Sequence, residues 1–190
     1  MPNAFISYLQ LFRDISYADA TLIQSHLQCR TVAEGECLLQ EGRVAKELFF
    51  VCSGVLRIVK VNEKGKEVTH FFVNENHFCT ILQSFLNQLP AGESIEAACP
   101  AELMVLTKKG LDEIYQQLPW FKELHGQIMQ QALLQKIQTR NELMGEDAST
   151  RYQKFLLRQP DIALRVSLGD IASYLGITLQ SLSRIRRNAR

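Results

Sequence analysis

Gln180, Ser181, Arg184 and Arg187 are spaced to share one face of a helix near the C-terminus, and their chemistry is that of base recognition. A glutamine amide can pair with both hydrogen-bonding groups on the major-groove edge of adenine, an arginine fork with those of guanine, and a serine hydroxyl with either. Arg186 and Arg190 are placed to meet phosphates, contacts that position a protein on a duplex without reading its sequence. The Thr178 hydroxyl can meet a phosphate or cap the helix that follows it.

Such side chains need a scaffold that pushes one helix into a groove, and the segment Leu168–Ile185 has that pattern. Ile171, Leu175, Leu182 and Ile185 are spaced to form a small core between two crossed helices. Ala172 is small where the second helix must approach, Gly176 sits where a tight turn favours a left-handed residue, and Ile177 plugs the turn. This is a helix-turn-helix, whose second helix enters the major groove. Two antiparallel helices of an ordinary bundle are the alternative. The small residue, glycine and plug together, beside an arginine-rich end, favour the helix-turn-helix.

Charge points the same way. Residues 151–190 carry eight Lys or Arg against two acids, Asp161 and Asp170, a net of +6; residues 1–150 carry thirteen bases against eighteen acids, a net of −5. A basic end on an acidic body is an electrostatic footprint for nucleic acid. The start Met1-Pro2-Asn3-Ala4-Phe5 lacks the features of a signal peptide. No run of about 18 apolar residues predicts a membrane span, so a cytoplasmic protein is expected. Cys29, Cys37, Cys52, Cys79 and Cys99 form no C-x-x-C pair, and mostly buried, reduced thiols are expected rather than a zinc or iron–sulfur site.

Upstream, the pattern predicts an α+β protein. Ser16 and Asp19 read as a capping box ahead of the helical stripe Leu22, Ile23, Leu27. From Cys29 to Thr107, short apolar runs alternate with glycine turns, as in a β-sandwich or barrel. From Lys108 the period becomes helical, with Leu111, Ile114, Tyr115 and Leu118 on one face. Pro119-Trp120 then begins a long helix running to about Met144. That helix carries two stripes: Phe121, Leu124, Ile128, Ala132 and Gln135, and Met129, Leu133, Ile137 and Met144. Two stripes imply packing on its own domain and on a partner helix, and the first is read as the dimerisation face. Gly145–Ser149 reads as a hinge, with Ser149 or Thr150 capping a helix through Leu157. The expected organisation is a sensor roll with flanking helices over 1–118, a dimerisation helix over 119–146 and a helix-turn-helix domain over 147–190.

The residues Glu34-Gly35-Glu36, Glu41-Gly42, Leu48-Phe49-Phe50-Val51, Ser53-Gly54-Val55 and Leu182-Ser183-Arg184-Ile185-Arg186-Arg187, in this order around a long helix, resemble the Crp/Fnr family of bacterial transcription regulators over nearly the whole chain. The resemblance implies a jelly-roll-like β-roll as effector domain, a homodimer on double-stranded DNA, two half-sites, and contact with RNA polymerase. It also implies an effector pocket in the roll, at Phe72, Thr80, Ile81, Leu82, Glu93 and Ser94. Members that bind a cyclic nucleotide carry Gly-Glu and then Arg-Ser in that pocket; here Thr80-Ile81 and Glu93-Ser94 stand at those places, and no arginine lies between Phe71 and Thr107. Exchanging a cation for an anion at contact replaces an attraction of about 4 kcal/mol, at an effective dielectric near ~20, by a repulsion. Cyclic AMP and cyclic GMP are therefore not expected to bind in the usual manner; a different small effector, or none, would occupy the roll. The family's N-terminal cysteine cluster for iron and sulfur is absent, so no cofactor is expected. The chain given ends at Arg190, so no β-hairpin wing is expected beyond the recognition helix.

Two other classes remain. An effector-binding roll acting through protein contacts, without sequence-specific DNA binding, would not need the basic end. A cupin-like metalloenzyme would need clustered ligands, whereas His26, His70, His77 and His125 are scattered with no H-x-H pair. His70 and His77 could still meet across a hairpin. No nucleophile–base constellation suggests an enzyme.

Overall fold

The computed structural model describes residues 4–188. Two four-stranded antiparallel sheets form the roll. One is ordered β1 (Leu27–Val32), β8 (Ala101–Thr107), β3 (Glu47–Ser53), β6 (Phe78–Cys79). The other is ordered β2 (Cys37–Leu39), β7 (Ser94–Ala97), β4 (Leu56–Val61), β5 (Glu67–Val73).

Strand β3 explains why the run Leu48-Phe49-Phe50-Val51 shows no polar alternation: both its faces are covered. Phe49 and Val51 point into the roll with Leu56, Ile58, Ile95 and Leu103. Leu48 and Phe50 point outward, where α1 (Ala4–Gln10), α2 (Tyr17–Ser25), α4 (Lys108–Gln117) and the start of α5 (Pro119–Leu143) lie against the sheet. Phe5 meets the edges of Phe50 and Phe78 at ring distances of 5.1 and 5.6 Å, a favoured aromatic arrangement. At the end of β3, Gly54 is required: its φ is +92° and a Cβ there would lie 2.4 Å from the Pro100 carbonyl oxygen.

The C-terminal domain follows a turn at the left-handed Gly145 and comprises α6 (Ala148–Arg158), α7 (Pro160–Arg165), α8 (Leu168–Tyr174) and α9 (Leu179–Asn188). Asp147, not Ser149 or Thr150, caps α6, its carboxylate accepting from both of their amides at 2.8 and 3.0 Å. Helix α7 was not expected; Pro160 opens it rather than merely ending α6. Strand β6 and α3 (Leu82–Asn87) were likewise unforeseen. Tyr152, Phe155, Ile162, Val166, Ile171, Leu175 and Leu182 form this domain's core, and the core continues into the outer face of the roll through Val55, Phe72, Ala98 and Cys99. Of the cysteines, Cys79 and Cys99 are buried, Cys52 is half-buried, and Cys29 and Cys37 are exposed, against the expectation of mostly buried thiols.

Candidate nucleic-acid interface and effector pocket

The turn between α8 and α9 is built as the spacing predicts. Ser167 caps α8, accepting from the Asp170 amide at 3.1 Å. Gly176 is left-handed, with φ +66°. The Ile177 amide donates to the Ala172 carbonyl at 2.9 Å, which pins the plug across the turn. Thr178 caps α9: its hydroxyl accepts from the Ser181 amide at 3.1 Å and donates to the Ser181 hydroxyl at 2.9 Å. Ser181 is consequently half-buried and engaged within the cap, whereas Thr178, Gln180, Arg184, Arg186 and Arg187 are exposed. The three arginines form no ion pair among the described residues, so α9 presents uncompensated positive charge. Arg190 lies outside the described residues. Leu179, not among the sequence candidates, is also exposed, at 47%, on the first turn of α9.

The first helix of the motif is fastened to the roll by its other side. Arg57 of β4 bonds Asp170 at the start of α8, and its second nitrogen bonds Glu96 of β7 at 2.7 Å and Glu67 of β5 at 3.3 Å. The β5 amide of Thr69 donates to the Ser173 hydroxyl at 2.9 Å. Arg165 of α7 grips Glu75, whose carboxylate also accepts from the Gly54 amide at 2.8 Å. The Arg165 hydrogen bonds hold the Glu75 carboxyl below the usual glutamate range. Sequence reasoning missed this contact, because its partners lie up to 113 residues apart.

The expected effector residues do not converge on a polar pocket. Thr80 is buried, its hydroxyl donating to the Glu47 carbonyl at 3.0 Å. Ile81 is packed into the roll interior beside Cys79 and Ile95, and burial pushes the Cys79 thiol up to about 12. Leu82 begins α3, half-buried. Ser94 accepts from the Glu41 amide at 2.9 Å, holding a turn. The Glu93 carboxylate lies 2.5 Å from His70 Nδ1. Phe72 is a correction: it points away from the interior, among Phe155 and Tyr174 of the C-terminal domain, because β5 is covered on its outer face by α8. A cavity of about 1100 Å³ lies elsewhere, at the end of the roll between Leu39, Phe49, Leu86 and Asp112.

The stripe read as a dimer face also needs correcting. Phe121 is fully buried in its own domain, and Leu124 and Ile128 pack on the same cluster. Ala132 is half-buried and Gln135 exposed, both lining the groove beside the roll. Geometry gives the reason. At about 100° per residue, this stripe and the one containing Leu133 and Ile137 lie roughly half a turn apart, and the roll takes the first. Leu133, Ile137 and Met144 are left 49, 48 and 69% exposed, with Leu134 beside them at 47%.

Among the described residues, no group of three His, Cys, Asp or Glu could hold a metal. His70 and His77 do not share a site: His77 pairs with the Glu75 carbonyl. No helix among them is long and apolar enough to cross a membrane.

Residues 29–118 match the cyclic nucleotide-binding domain family. A c-di-GMP-responsive global regulator of Xanthomonas campestris, CLP, superposes with a TM-score of 0.71 at 15% identity, covering 92% of this chain and 91% of its own. FixK2 of Bradyrhizobium japonicum gives 0.73 at 19% identity, covering 85% and 83%. A Eubacterium rectale protein assigned to the crp/fnr transcriptional regulator family gives 0.73 at 21% identity, covering 96% and 87%. The chain has the fold that these proteins share. No curated protein sequence matches it significantly. Within that fold, the roll of this chain carries a carboxylate at Glu93 and a threonine hydroxyl turned to its own backbone at Thr80.

Proposed function

We propose that this protein is a sequence-specific DNA-binding transcription regulator that works in the cytoplasm as a homodimer. The observation that carries the reading is the capped, exposed helix α9, with Gln180, Arg184 and Arg187 facing solvent and no internal acid neutralising them. Gln180, Arg184 and Arg187 read base edges, Arg186 meets a phosphate, and Thr178 and Ser181 hold the helix start close to the backbone. Leu179 adds an apolar contact suited to a thymine methyl.

The second stripe of α5 is the dimer face in this proposal. Gly126, Leu133 and Ile137 fall within about 40° of one another around the helix, Met144 follows at its C-cap, and a Cβ at Gly126 would meet nothing within 4 Å. Two such helices pack closely across a two-fold axis, and a dimer sets its recognition helices about 34 Å apart, one turn of duplex. Contact with RNA polymerase follows from the resemblance. The roll does not hold cyclic AMP or cyclic GMP in the usual manner, because the phosphate would face Glu93. A different small effector, or none, occupies the roll in this proposal.

Fluorescence anisotropy with a labelled duplex, titrated across salt concentrations, tests the proposal. Wild type should bind with an affinity that falls steeply with salt, and Arg186→Ala should lower the slope by about one unit. Absence of binding at every salt concentration would favour a roll that acts through protein contacts alone.

A further inference from the structure

Where roll, long helix and C-terminal domain meet, a cavity of about 300 Å³ opens beside the hinge. Its walls are His70 and Phe71 of β5, Arg140 and Met144 from α5 and its end, Arg151 of α6 and Tyr174 of α8. It is distinct from the roll interior, since Thr80, Ile81, Glu93 and Ser94 do not line it.

Its wall carries two guanidinium groups, Arg140 and Arg151, against one carboxylate, Glu146, and Asp147 lies near enough to Arg151 to feel its charge. Arg140 and Arg151 form no ion pair among the described residues. The Arg151 Nε is shut off from solvent without an acceptor, an arrangement folded proteins rarely leave unfilled. Lys136, one turn before Arg140, lies 5.1 Å from the Phe71 ring centre and forms no ion pair among the described residues. The acid on the wall, Glu146, is already held by Lys154 at 2.5 Å, and His70 by Glu93. Phe71 and Tyr174 supply flat apolar faces, and burial keeps the Tyr174 hydroxyl above its ordinary pKa and therefore neutral.

We propose that this junction binds a small planar dianion, a ring lying against Phe71 and Tyr174 and a phosphate monoester or dicarboxylate spanning Arg140 and Arg151. Two guanidinium groups match a doubly charged, fork-shaped acceptor better than the single charge of a cyclic phosphodiester. The site has consequences for the recognition helix. A Cβ at Gly176 would sit 3.6 Å from Arg151 Nη1, so the ligand's anchor lies beside the turn before α9. A ligand walled by three bodies binds this arrangement better than any in which they part, and so favours it.

Calorimetric titration of the full chain without DNA tests the site independently of the DNA-binding reading. The probes are adenosine monophosphate and phthalate, with adenosine and cyclic AMP as controls. One or both dianions should bind once per chain, and Arg151→Gln and Arg140→Gln should each weaken binding by about tenfold or more. Arg151→Lys should fall between. Arg140 is exposed, so its variant carries the test if the Arg151 variants misfold. Failure of both dianions at several millimolar, equal binding of adenosine or cyclic AMP, or unchanged affinity in a folded Arg140→Gln variant would overturn the proposal.

Discussion

Replacing Arg57 by glutamine should undock the C-terminal domain. The side chains of Arg57, Glu96 and Asp170 are only 16, 15 and 18% exposed, so the substitution leaves two largely buried carboxylates facing a neutral amide. Breaking a fully buried pair from one side costs roughly 3–5 kcal/mol. The residual exposure, and the Ser167 hydroxyl that still donates to Asp170 at 2.8 Å, reduce this to about 2–3 kcal/mol. Urea unfolding reads it well because Trp120 is the one tryptophan of the sequence and sits on α5 against the roll's helical layer. In wild type, tryptophan fluorescence and far-ultraviolet circular dichroism should report one transition. In Arg57→Gln, part of the helical signal should be lost about 2 M earlier, at a slope near ~1 kcal/mol/M for a small domain, while the fluorescence midpoint barely moves. A double-mutant cycle with Asp170→Asn should give a coupling of at least about 1 kcal/mol. Additivity within about 0.3 kcal/mol, with coincident transitions in every variant, would refute the reasoning.

Three further outcomes are expected. Burial lowers the His125 pKa to about 4, so an unfolded chain binds a proton there that the folded chain refuses; stability should fall as pH drops from 6.5 towards 4, and His125→Phe should flatten that part of the pH–stability curve. That variant also strands the Tyr115 hydroxyl, which lies 2.5 Å from His125 Nδ1, and should cost about 1 kcal/mol at neutral pH. The lowered pKa of Glu75 has the same sign: the Arg165–Glu75 grip is fully present above the ordinary glutamate value of 4.5 and is lost below it, so hinge proteolysis should accelerate only on acidification. Leu133→Glu with Ile137→Glu should convert the proposed dimer to monomers in sedimentation, whereas the same charges at Phe121 should unfold the roll instead.

Much of this architecture is legible in the sequence because it is local. Gly176, Ala172 and the Thr178 cap each act within a few residues, and the glycine-punctuated runs announce the strands. What was hidden depends on which face a neighbour covers. Two stripes on α5 have the same period, and only the packing of Phe121 and Leu124 on the roll shows which one remains for a partner. Phe72 misled for the same reason: β5 is covered on both faces, so alternation does not tell inside from outside. The register shift between Ile58 and Val59 where β4 meets β5 removes a second cue. The Arg57–Asp170 pair has no sequence signature at all, since two ordinary charges far apart in the chain meet only once the domains dock.

The central claim is most directly tested by selecting bound sites from random duplex DNA, with wild type and Arg184→Ala, each with and without cyclic AMP. The account predicts a two-fold symmetric site with half-sites one helical turn apart, lost in Arg184→Ala and indifferent to the nucleotide. Selection of no site, or of a site only when cyclic AMP is present, would contradict it.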